Sequence, residues 1–361
     1  MVLSTRNVTD YLVSRGIIGH DAIVDGGLVV TDTTRRNRNF RVAPAAAPGF
    51  FVKQVSAWDP MSIGTLEREA RFYWLAWNRP ALNRLSRWLP AFHSYESSRH
   101  ALVIELIDGG EDLGAHHRRL GRFPEAVAAE VGRALADLHE TGRAALDSDD
   151  AAPFPDHVPW ILTVADAPAA SMPPSGSLGE LLRLLRSYPE LTDGIEQARA
   201  SWTADTLVHG DLKWENLIVG AERDGESVPL RVIDWELVHR GDAAWDVGAM
   251  IQAYLNFWVF TMPVEPDSRP ADLVKNAPLR LESMWPALRS FWRAYREAGS
   301  MPDPEAFLAR SMSYAACRML QTAYESVQQA PRLTPHAVLL LQLSANTLKD
   351  PHAATRRLAG L

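Results

Sequence analysis

The chain has 361 residues, more than one core usually serves, so its length predicts two compact units or one large two-lobed unit. Apolar residues make up 47% and charged residues 22%, as in ordinary soluble globular proteins. The formal net charge of −7 argues against a nucleic-acid binder that depends on phosphate contacts. No apolar run is long enough to span a bilayer, and the first residues lack the apolar core of a signal peptide. Because Cys317 is the single cysteine, no intrachain disulfide can form, and we expect a cytoplasmic protein without membrane or nucleic-acid partners.

The first hundred residues are predicted to form mostly short strands. Segments rich in Val and Phe alternate with polar or Pro/Ala/Gly-rich breaks, which is typical of strands joined by turns. One helix interrupts them, because apolar residues in LEREARFYWLAW (66–77) recur three or four positions apart. The predicted strands are Leu28–Thr31, Asn39–Val42, Phe50–Val55 and Ala101–Ile107.

Helical patterns dominate the rest of the chain. FPEAVAAEVGRALADLHE carries one apolar stripe, and Pro124 lies in its first turn. Asp303 and Thr334 each precede a proline and are typical helix starts. Further helices are predicted near residues 281–298, 304–328 and 335–348, and a loop at 147–178.

The change from strands to helices predicts an α+β protein with two lobes. A turn ends the strand-rich part, and we expect the hinge at Glu105–Gly110. The predicted domains are an N-terminal lobe of residues 1–106, a small antiparallel sheet with one main helix, and a mostly helical C-terminal lobe of residues 107–361.

A polar cluster, VHGDLKWEN, directly precedes two short strand patterns, NLIV and LRVID. A turn-forming loop joins these strands, so an antiparallel hairpin is predicted. Asn216 begins the first strand and Asp234 ends the second, and a hairpin brings its open ends together. Amide and carboxylate oxygens suit Mg²⁺, whose remaining positions phosphates and water fill. With Asp211 just upstream to orient a hydroxyl, the set predicts phosphoryl transfer.

The segment HGDLKWENLIV…VIDWE resembles the catalytic loop and metal-binding segment of the protein-kinase-like superfamily. The glycine after the histidine, the IDWE ending and GDAAWDVGAMI (Gly241–Ile251) resemble its aminoglycoside phosphotransferase and choline kinase branch. The resemblance implies a two-lobed protein-kinase-like fold, Mg²⁺ as cofactor and ATP or GTP as phosphate donor. It also implies that His209 and Asp246 brace the loop rather than react.

The same resemblance gives roles to the polar cluster. Asp211 is implied to be the catalytic carboxylate, and Lys213 to stabilise charge on the transferred phosphate. Asn216 and Asp234 are implied to hold Mg²⁺. The alternative is that Asp211 and Asn216 only cap a turn.

The nucleotide contacts are implied to come from the N-terminal lobe. Lys53 of FFVKQV would contact the α- and β-phosphates and pair with a helix glutamate, for which we choose Glu69 and keep Glu67 in reserve. The segment VIELID resembles the strand on which an adenine rests, with backbone groups of Glu105 and Ile107 as partners. The alternative for Lys53 is a strand lysine that extends to solvent.

The first hairpin departs from the family pattern, because TDTTRRNRNFRV (Thr31–Val42) contains no glycine. Backbone amides in a suitable turn still bind phosphate, and we include Asn37 of the loop Thr33–Asn39 among the nucleotide-binding candidates. Arginines in this loop offer charge-assisted contacts: Arg35, Arg36 and Arg38. An equally good interpretation is a solvated basic hairpin.

The acceptor hydroxyl is less well defined by the sequence. A cationic small molecule would require an acidic or aromatic pocket, but the aromatic residues in YLNFWVF (254–260) have the helical spacing of a core. We expect a kinase for a small molecule of the aminoglycoside, amino alcohol or sugar type. The alternatives are a kinase of Ser or Thr in a peptide, such as a natural-product precursor, and a nucleotide-binding pseudokinase scaffold.

Overall fold

The computed structural model describes most of the chain, and everything below refers to that part. The described residues are 2–21, 27–34, 37–44, 48–107, 109–146, 148–166, 176–220, 229–265, 268–328, 330 and 332–361. The chain divides into two compact units. The first unit comprises residues 1–116, 147–154 and 215–238, and the second comprises residues 117–146, 155–214 and 239–361.

An antiparallel sheet of five strands forms the centre of the first unit, in the order β1-β2-β3-β5-β4. The predicted strands are present within one or two residues of their predicted ends, and β4 was not predicted. The strands are β1 (Leu28–Asp32), β2 (Arg38–Pro44), β3 (Gly49–Gln54), β4 (Phe92–Glu96) and β5 (Ala101–Leu106).

A short N-terminal helix, α1 (Val8–Ser14), packs on one face of this sheet. Because side chains alternate along a strand, Phe40, Val42 and Val52 share that face and are fully buried. Tyr11 of α1 is 1% exposed and belongs to the same core cluster. The sequence prediction missed α1, because its seven residues are too few to give a clear helical repeat.

The main helix of the first unit is α2 (Pro60–Asn78). Asp59 caps it, since its carboxylate accepts a hydrogen bond from the Ser62 N–H at 3.1 Å, and proline occupies the first turn. The predicted apolar stripe is buried, except that Trp77 is 42% exposed. The indole N–H of Trp77 instead donates to the Pro90 carbonyl at 3.0 Å.

A second, smaller sheet of three strands completes the first unit, in the order β6-β8-β9. Its strands are β6 (Glu111–Asp112), β8 (Leu217–Val219) and β9 (Leu230–Val232). Antiparallel pairing of β8 with both neighbours keeps these segments in the first unit. The metal-binding candidates Asn216 and Asp234 therefore lie in the first unit, although the predicted boundary at residue 106 would assign them to the helical lobe.

The second unit is mostly helical, and two short strands, β7 (Thr206–Val208) and β10 (His239–Gly241), pair within it. Helix α3 (Leu113–Leu120) begins in the first unit and ends in the second. The remaining helices are α4 (Glu125–Leu146), α5 (Gly176–Ser187), α6 (Pro189–Ala200), α7 (Ala243–Thr261), α8 (Pro270–Lys275), α9 (Trp285–Ala298), α10 (Pro304–Ser326), α11 (Pro335–Lys349) and α12 (Pro351–Ala354).

The predicted helix starts at Asp303 and Thr334 are confirmed. The Asp303 carboxylate accepts from the Ala306 N–H at 3.0 Å, and the Thr334 hydroxyl accepts from the Ala337 N–H at 3.2 Å. The helix predicted from residue 281 begins only at Trp285, after a 3-10 turn.

Close packing of α7 against α10 depends on a glycine. A Cβ at Gly248 would collide with the backbone carbonyl of Ser311, so only glycine allows this approach. Helix α10 also carries Cys317, which is fully buried. Among the described residues, we find no helix with the length and apolar character that crossing a membrane requires.

Candidate active site

The predicted hairpin is present and joins Asn216 to Asp234 at its open end. Leu217 pairs with Val232, and the N–H of Ile233 donates to the Asn216 carbonyl at 3.0 Å. Asn216 therefore lies opposite Ile233, Asp234 is the residue that follows Ile233, and both Asn216 and Asp234 line one cavity of about 440 Å³ in the first unit.

This cavity combines polar and apolar walls. Besides the hairpin ends, its polar lining includes Lys53, Glu69, Asn39 and Arg41. Its apolar lining consists of Phe51, Pro90, Leu102, Ile104, Leu106, Ile107, Ile218 and Ile233. A cleft with apolar walls and a few converging charges is the usual form of a small-molecule site.

Lys53 lies at the centre of the polar groups. Its ammonium is 2.8 Å from the Glu69 carboxylate, 2.8 Å from the Asp234 carboxylate and 3.4 Å from the Glu236 carboxylate. The predicted partner Glu69 thus contacts Lys53, whereas the reserve candidate Glu67 accepts from the Tyr95 hydroxyl at 3.4 Å. The Lys53 side chain is only 9% exposed, so it does not extend to solvent.

Burial and mutual charge shift the pKa values in this cluster. Burial alone lowers the pKa of Lys53, but the carboxylates, Glu69 foremost, outweigh it and raise that pKa above its ordinary value. Burial raises the pKa of Glu69 to about 7, and the ammonium of Lys53 offsets this only in part. Lys53 therefore stays charged at neutral pH, while Glu69 is close to its titration midpoint.

Asp234 has an unusual backbone conformation, with φ +66° and ψ +56°, in the left-handed region that non-glycine residues seldom adopt. The next residue fixes the chain, because Trp235 stacks on Phe72 of α2 with ring centroids 4.2 Å apart. The indole N–H of Trp235 also donates to the Val232 carbonyl at 2.9 Å. Backbone strain of this kind is concentrated at functional sites, where the surrounding packing maintains it.

The donor set suits a divalent cation. One oxygen each from Glu69, Asp234 and Glu236 lies within 4.8 Å of the others. Three carboxylates around one ammonium leave an excess of negative charge, and hard oxygen donors are what Mg²⁺ prefers. From the sequence, Glu236 is interpreted as a solvated or supporting residue, because a glutamate after a tryptophan has no spacing that distinguishes it from a solvated one.

The predicted adenine edge lies on the same cavity. The N–H of Glu105 donates to the Ala91 carbonyl at 2.8 Å, and the Glu105 carboxylate accepts from the Ala91 N–H at 2.9 Å. The N–H and side chain of Glu105 are therefore already engaged. The N–H of Ile107, which also lines this cavity, makes no hydrogen bond to another described residue.

The glycine-free hairpin contributes other residues than those proposed from the sequence. Arg35 and Arg36 lie outside the described residues, and Asn37 is not among the described residues that line the cavity. Arg38 lies on the opposite face of β2 from Arg41, because the two are an odd number of positions apart. Arg41 is the arginine of β2 that lines the cavity, and strand parity could have identified it.

The predicted catalytic loop lies in the second unit, where a buried aspartate holds its backbone. The Asp246 carboxylate accepts hydrogen bonds from the N–H groups of His209 at 2.7 Å and Gly210 at 3.2 Å. Gly210 has φ +80°, which explains a glycine at this position. His139 lies 3.4 Å from the same carboxylate, and this ring hydrogen bond lowers the pKa of Asp246 despite the opposing effect of burial.

Asp211 and Lys213 form an ion pair on this loop. The Lys213 ammonium lies 2.6 Å from the Asp211 carboxylate, and their side chains are 45% and 28% exposed. His209 is fully buried, and its Nδ1 accepts from the Asp211 N–H at 3.3 Å. Arg318 of α10 was not predicted from the sequence, and its guanidinium lies 4.0 Å from the Asp211 carboxylate.

These features define the class of protein, a phosphotransferase with a kinase-like fold. The model of the phosphotransferase enzyme family, APH, matches residues 34–291, and the chain belongs to this family. Comparison with curated proteins gave no significant match.

Solved structures with the same fold are distant in sequence. Ethanolamine kinase from Plasmodium vivax has 13% identity and a TM-score of 0.58, with 94% of this chain and 86% of that chain covered. Amicoumacin kinase in complex with AMP-PNP, Ca²⁺ and Ami has 11% identity and a TM-score of 0.53, with 95% and 96% covered. The GDP complex of an aminoglycoside 2'-phosphotransferase-IIIa mutant has 12% identity and a TM-score of 0.54, with 98% and 99% covered. At these identities the similarity establishes the fold alone.

Proposed function

We propose that the protein moves the terminal phosphate of a nucleoside triphosphate to a hydroxyl of a small molecule, with Mg²⁺ as cofactor. The observation that carries this proposal is the hairpin that brings Asn216 and Asp234 to the cavity containing the Lys53–Glu69 pair. A lysine paired to a helix carboxylate beside an amide and a carboxylate is the arrangement that phosphoryl transfer needs.

Asn216 and Asp234 would hold the metal ion, with Glu236 close enough to contribute a further oxygen. Bound there, Mg²⁺ would neutralise phosphate charge. Lys53, at present held by the carboxylates, would contact the phosphates, and the N–H of Ile107 would donate to the base. Glu69 would keep Lys53 oriented through their 2.8 Å contact.

Asp211 would orient the acceptor hydroxyl and take its proton as the acceptor oxygen bonds to the terminal phosphorus and the nucleoside diphosphate leaves. Lys213 contacts Asp211 at 2.6 Å and is nearly half exposed, and its ammonium would stabilise charge on the transferred phosphate. Asp246 and His209 would act only by fixing the backbone around Asp211.

For the acceptor, we favour an alcohol that carries an amine, because structures of the same fold include an ethanolamine kinase, amicoumacin kinase and an aminoglycoside phosphotransferase. ATP and GTP remain equal as donors in this proposal, since one relative carries AMP-PNP and another GDP. No feature of the described residues favours a peptide acceptor, so peptides serve as the comparison set.

The test is a transfer assay with γ-labelled ATP and GTP against amino alcohols, aminoglycosides, sugars and Ser/Thr peptides. We expect Mg²⁺-dependent labelling of a small amine-bearing alcohol, and loss of at least 10³-fold in rate in Asp211→Ala with nucleotide affinity retained. Labelling of peptides alone would reject the proposed acceptor class. Unchanged turnover in Asp211→Ala would reject the proposed centre, and nucleotide binding without any transfer would favour the scaffold.

A further inference from the structure

We infer that Arg318 is a positioning residue for the proposed transfer: it fixes the backbone on both sides of Asp211 and remains as the counter-charge of Asp211 when Lys213 turns to the phosphate. The inference rests on the proposed function at Asp211. It concerns a residue of α10, more than one hundred positions along the chain from the loop it holds.

Arg318 contacts the backbone of the loop on both sides of Asp211. Its guanidinium donates to the Gly210 carbonyl at 3.4 Å and to the Leu212 carbonyl at 3.1 Å. These are the carbonyls of the residues directly before and after Asp211. A planar guanidinium reaches both at once, whereas the point charge of a lysine does not have this fork geometry.

The Arg318 side chain is itself held in place. Arg318 is only 7% exposed, and its guanidinium lies over the ring of Trp245, 5.1 Å from the ring centroid. Trp245 in turn donates its indole N–H to the Gly210 carbonyl at 3.2 Å. The loop carbonyl is therefore held from two helices, α7 and α10, and the guanidinium has a fixed place between them.

Two cations lie beside Asp211 and differ in exposure. Arg318 approaches Oδ1 of Asp211 to 4.0 Å, while Lys213 contacts Oδ2 at 2.6 Å. The Lys213 side chain is 45% exposed and the Arg318 side chain 8% exposed. A charge that is buried and restrained is attracted more strongly and is screened less than an exposed one. Lys213 is thus the more exposed of the two cations beside Asp211, and Arg318 is the buried one that stays in place.

The test compares Arg318→Met with Arg310→Met. Arg310 lies on the same helix and pairs with the buried Asp242 at 3.0 Å, but it does not contact the loop. Turnover is measured as ADP release from MgATP, with ethanolamine and with water as acceptors. We expect kcat to fall about 100-fold in Arg318→Met, with nucleotide KM within about threefold of wild type, the effect of removing one positioned charge. Arg310→Met should lower the melting temperature but leave kcat within about threefold.

Two further measurements separate positioning from mere structural support. Arg318→Ala should regain kcat at least fivefold on addition of millimolar guanidinium chloride, which restores the charge without changing the chain. Arg318→Lys should have a higher kcat than Arg318→Met but a lower one than wild type. If the methionine variant does not fold, the kcat of Arg318→Lys relative to wild type tests the inference.

The inference is overturned if Arg318→Met loses no more kcat than Arg310→Met, if Arg318→Lys has wild-type kcat, or if only nucleotide KM changes. Absence of rescue by guanidinium in a folded Arg318→Ala would also overturn it. Asp211→Ala in the same assay separates this result from failure of the proposed function. If that variant keeps its turnover, the proposed centre is wrong; if it is inactive while Arg318→Met is active, only the role of Arg318 is wrong.

Discussion

The change Asp246→Asn tests how the catalytic loop is held. The carboxylate of Asp246 is fully buried and accepts from two backbone N–H groups, those of His209 and Gly210. An asparagine offers one oxygen, so one N–H then faces an amide NH₂ and stays unsatisfied. A buried unsatisfied donor costs about 1–3 kcal/mol, and loss of the charge weakens the other bond, so we expect about 2–4 kcal/mol of lost stability.

The assay combines chemical denaturation with steady-state kinetics. Because the loop backbone carries Asp211, kcat should fall about 10- to 100-fold in Asp246→Asn, with a smaller effect on nucleotide KM. The control is Asp242→Asn, which removes another buried carboxylate. Asp242 caps α7 and contacts Arg310 and Tyr314 instead of the loop. That variant should lose stability but keep kcat within about threefold.

The sign of the pH effect follows from the lowered pKa of Asp246. A carboxyl group whose pKa is lower in the folded state stabilises the fold above its unfolded pKa, and this stabilisation is lost as pH falls through the folded pKa. The stability difference between wild type and Asp246→Asn should thus be constant from about pH 5 to 8 and shrink below about pH 4. Equal stability and equal kcat of the two proteins at pH 7 would refute this account of the loop.

Three more predictions concern the cavity of the first unit. Lys53→Met leaves the buried Glu69 without its cation, so the free energy of unfolding at pH 8 should fall by about 3–5 kcal/mol. Nucleotide affinity, measured by calorimetry, should fall at least tenfold in the same variant. Because the folded-state pKa of Glu69 is about 7, above its ordinary 4.5, proton binding favours the fold, and wild-type stability should decline as pH rises from 4.5 to 7. In Glu69→Gln that decline should be absent from denaturation curves taken across this range; an unchanged slope would contradict the assigned burial. Ile107→Pro removes the N–H offered to the base, so nucleotide KM should rise about tenfold with Mg²⁺ dependence unchanged, and an unchanged KM would exclude this donor.

The parts of the fold that the sequence predicted are those with local signals. The hairpin at Asn216–Asp234 was predictable because turn residues separate two short aliphatic strands, and antiparallel pairing then fixes which residues meet. The pairing of Lys53 with a glutamate of α2 was implied by the family resemblance, and only packing decides between Glu67 and Glu69. Caps such as Asp303 were readable because the residue and the proline after it are adjacent.

The parts that were missed depend on contacts between distant segments. Arg318 lies in an apolar helix pattern, and nothing near it in sequence indicates that its guanidinium meets the carbonyl of Leu212. The contact of Glu236 with Lys53 was missed for the same reason, since the two residues are 183 positions apart in the chain. The division of the chain into two units could also not be predicted from local sequence. The β8–β9 hairpin belongs to the unit of the first sheet because β8 pairs with Glu111–Asp112.

The central claim is that Asn216 and Asp234 hold one divalent cation together with the nucleotide. Mn²⁺ binding followed by electron paramagnetic resonance, with AMP-PNP present, tests it most directly. We expect saturable nucleotide-dependent Mn²⁺ binding in wild type and in Asp211→Asn, and binding at least tenfold weaker in Asn216→Ala and Asp234→Asn. Wild-type Mn²⁺ affinity in both of the last two variants, with the nucleotide still bound, would contradict the account.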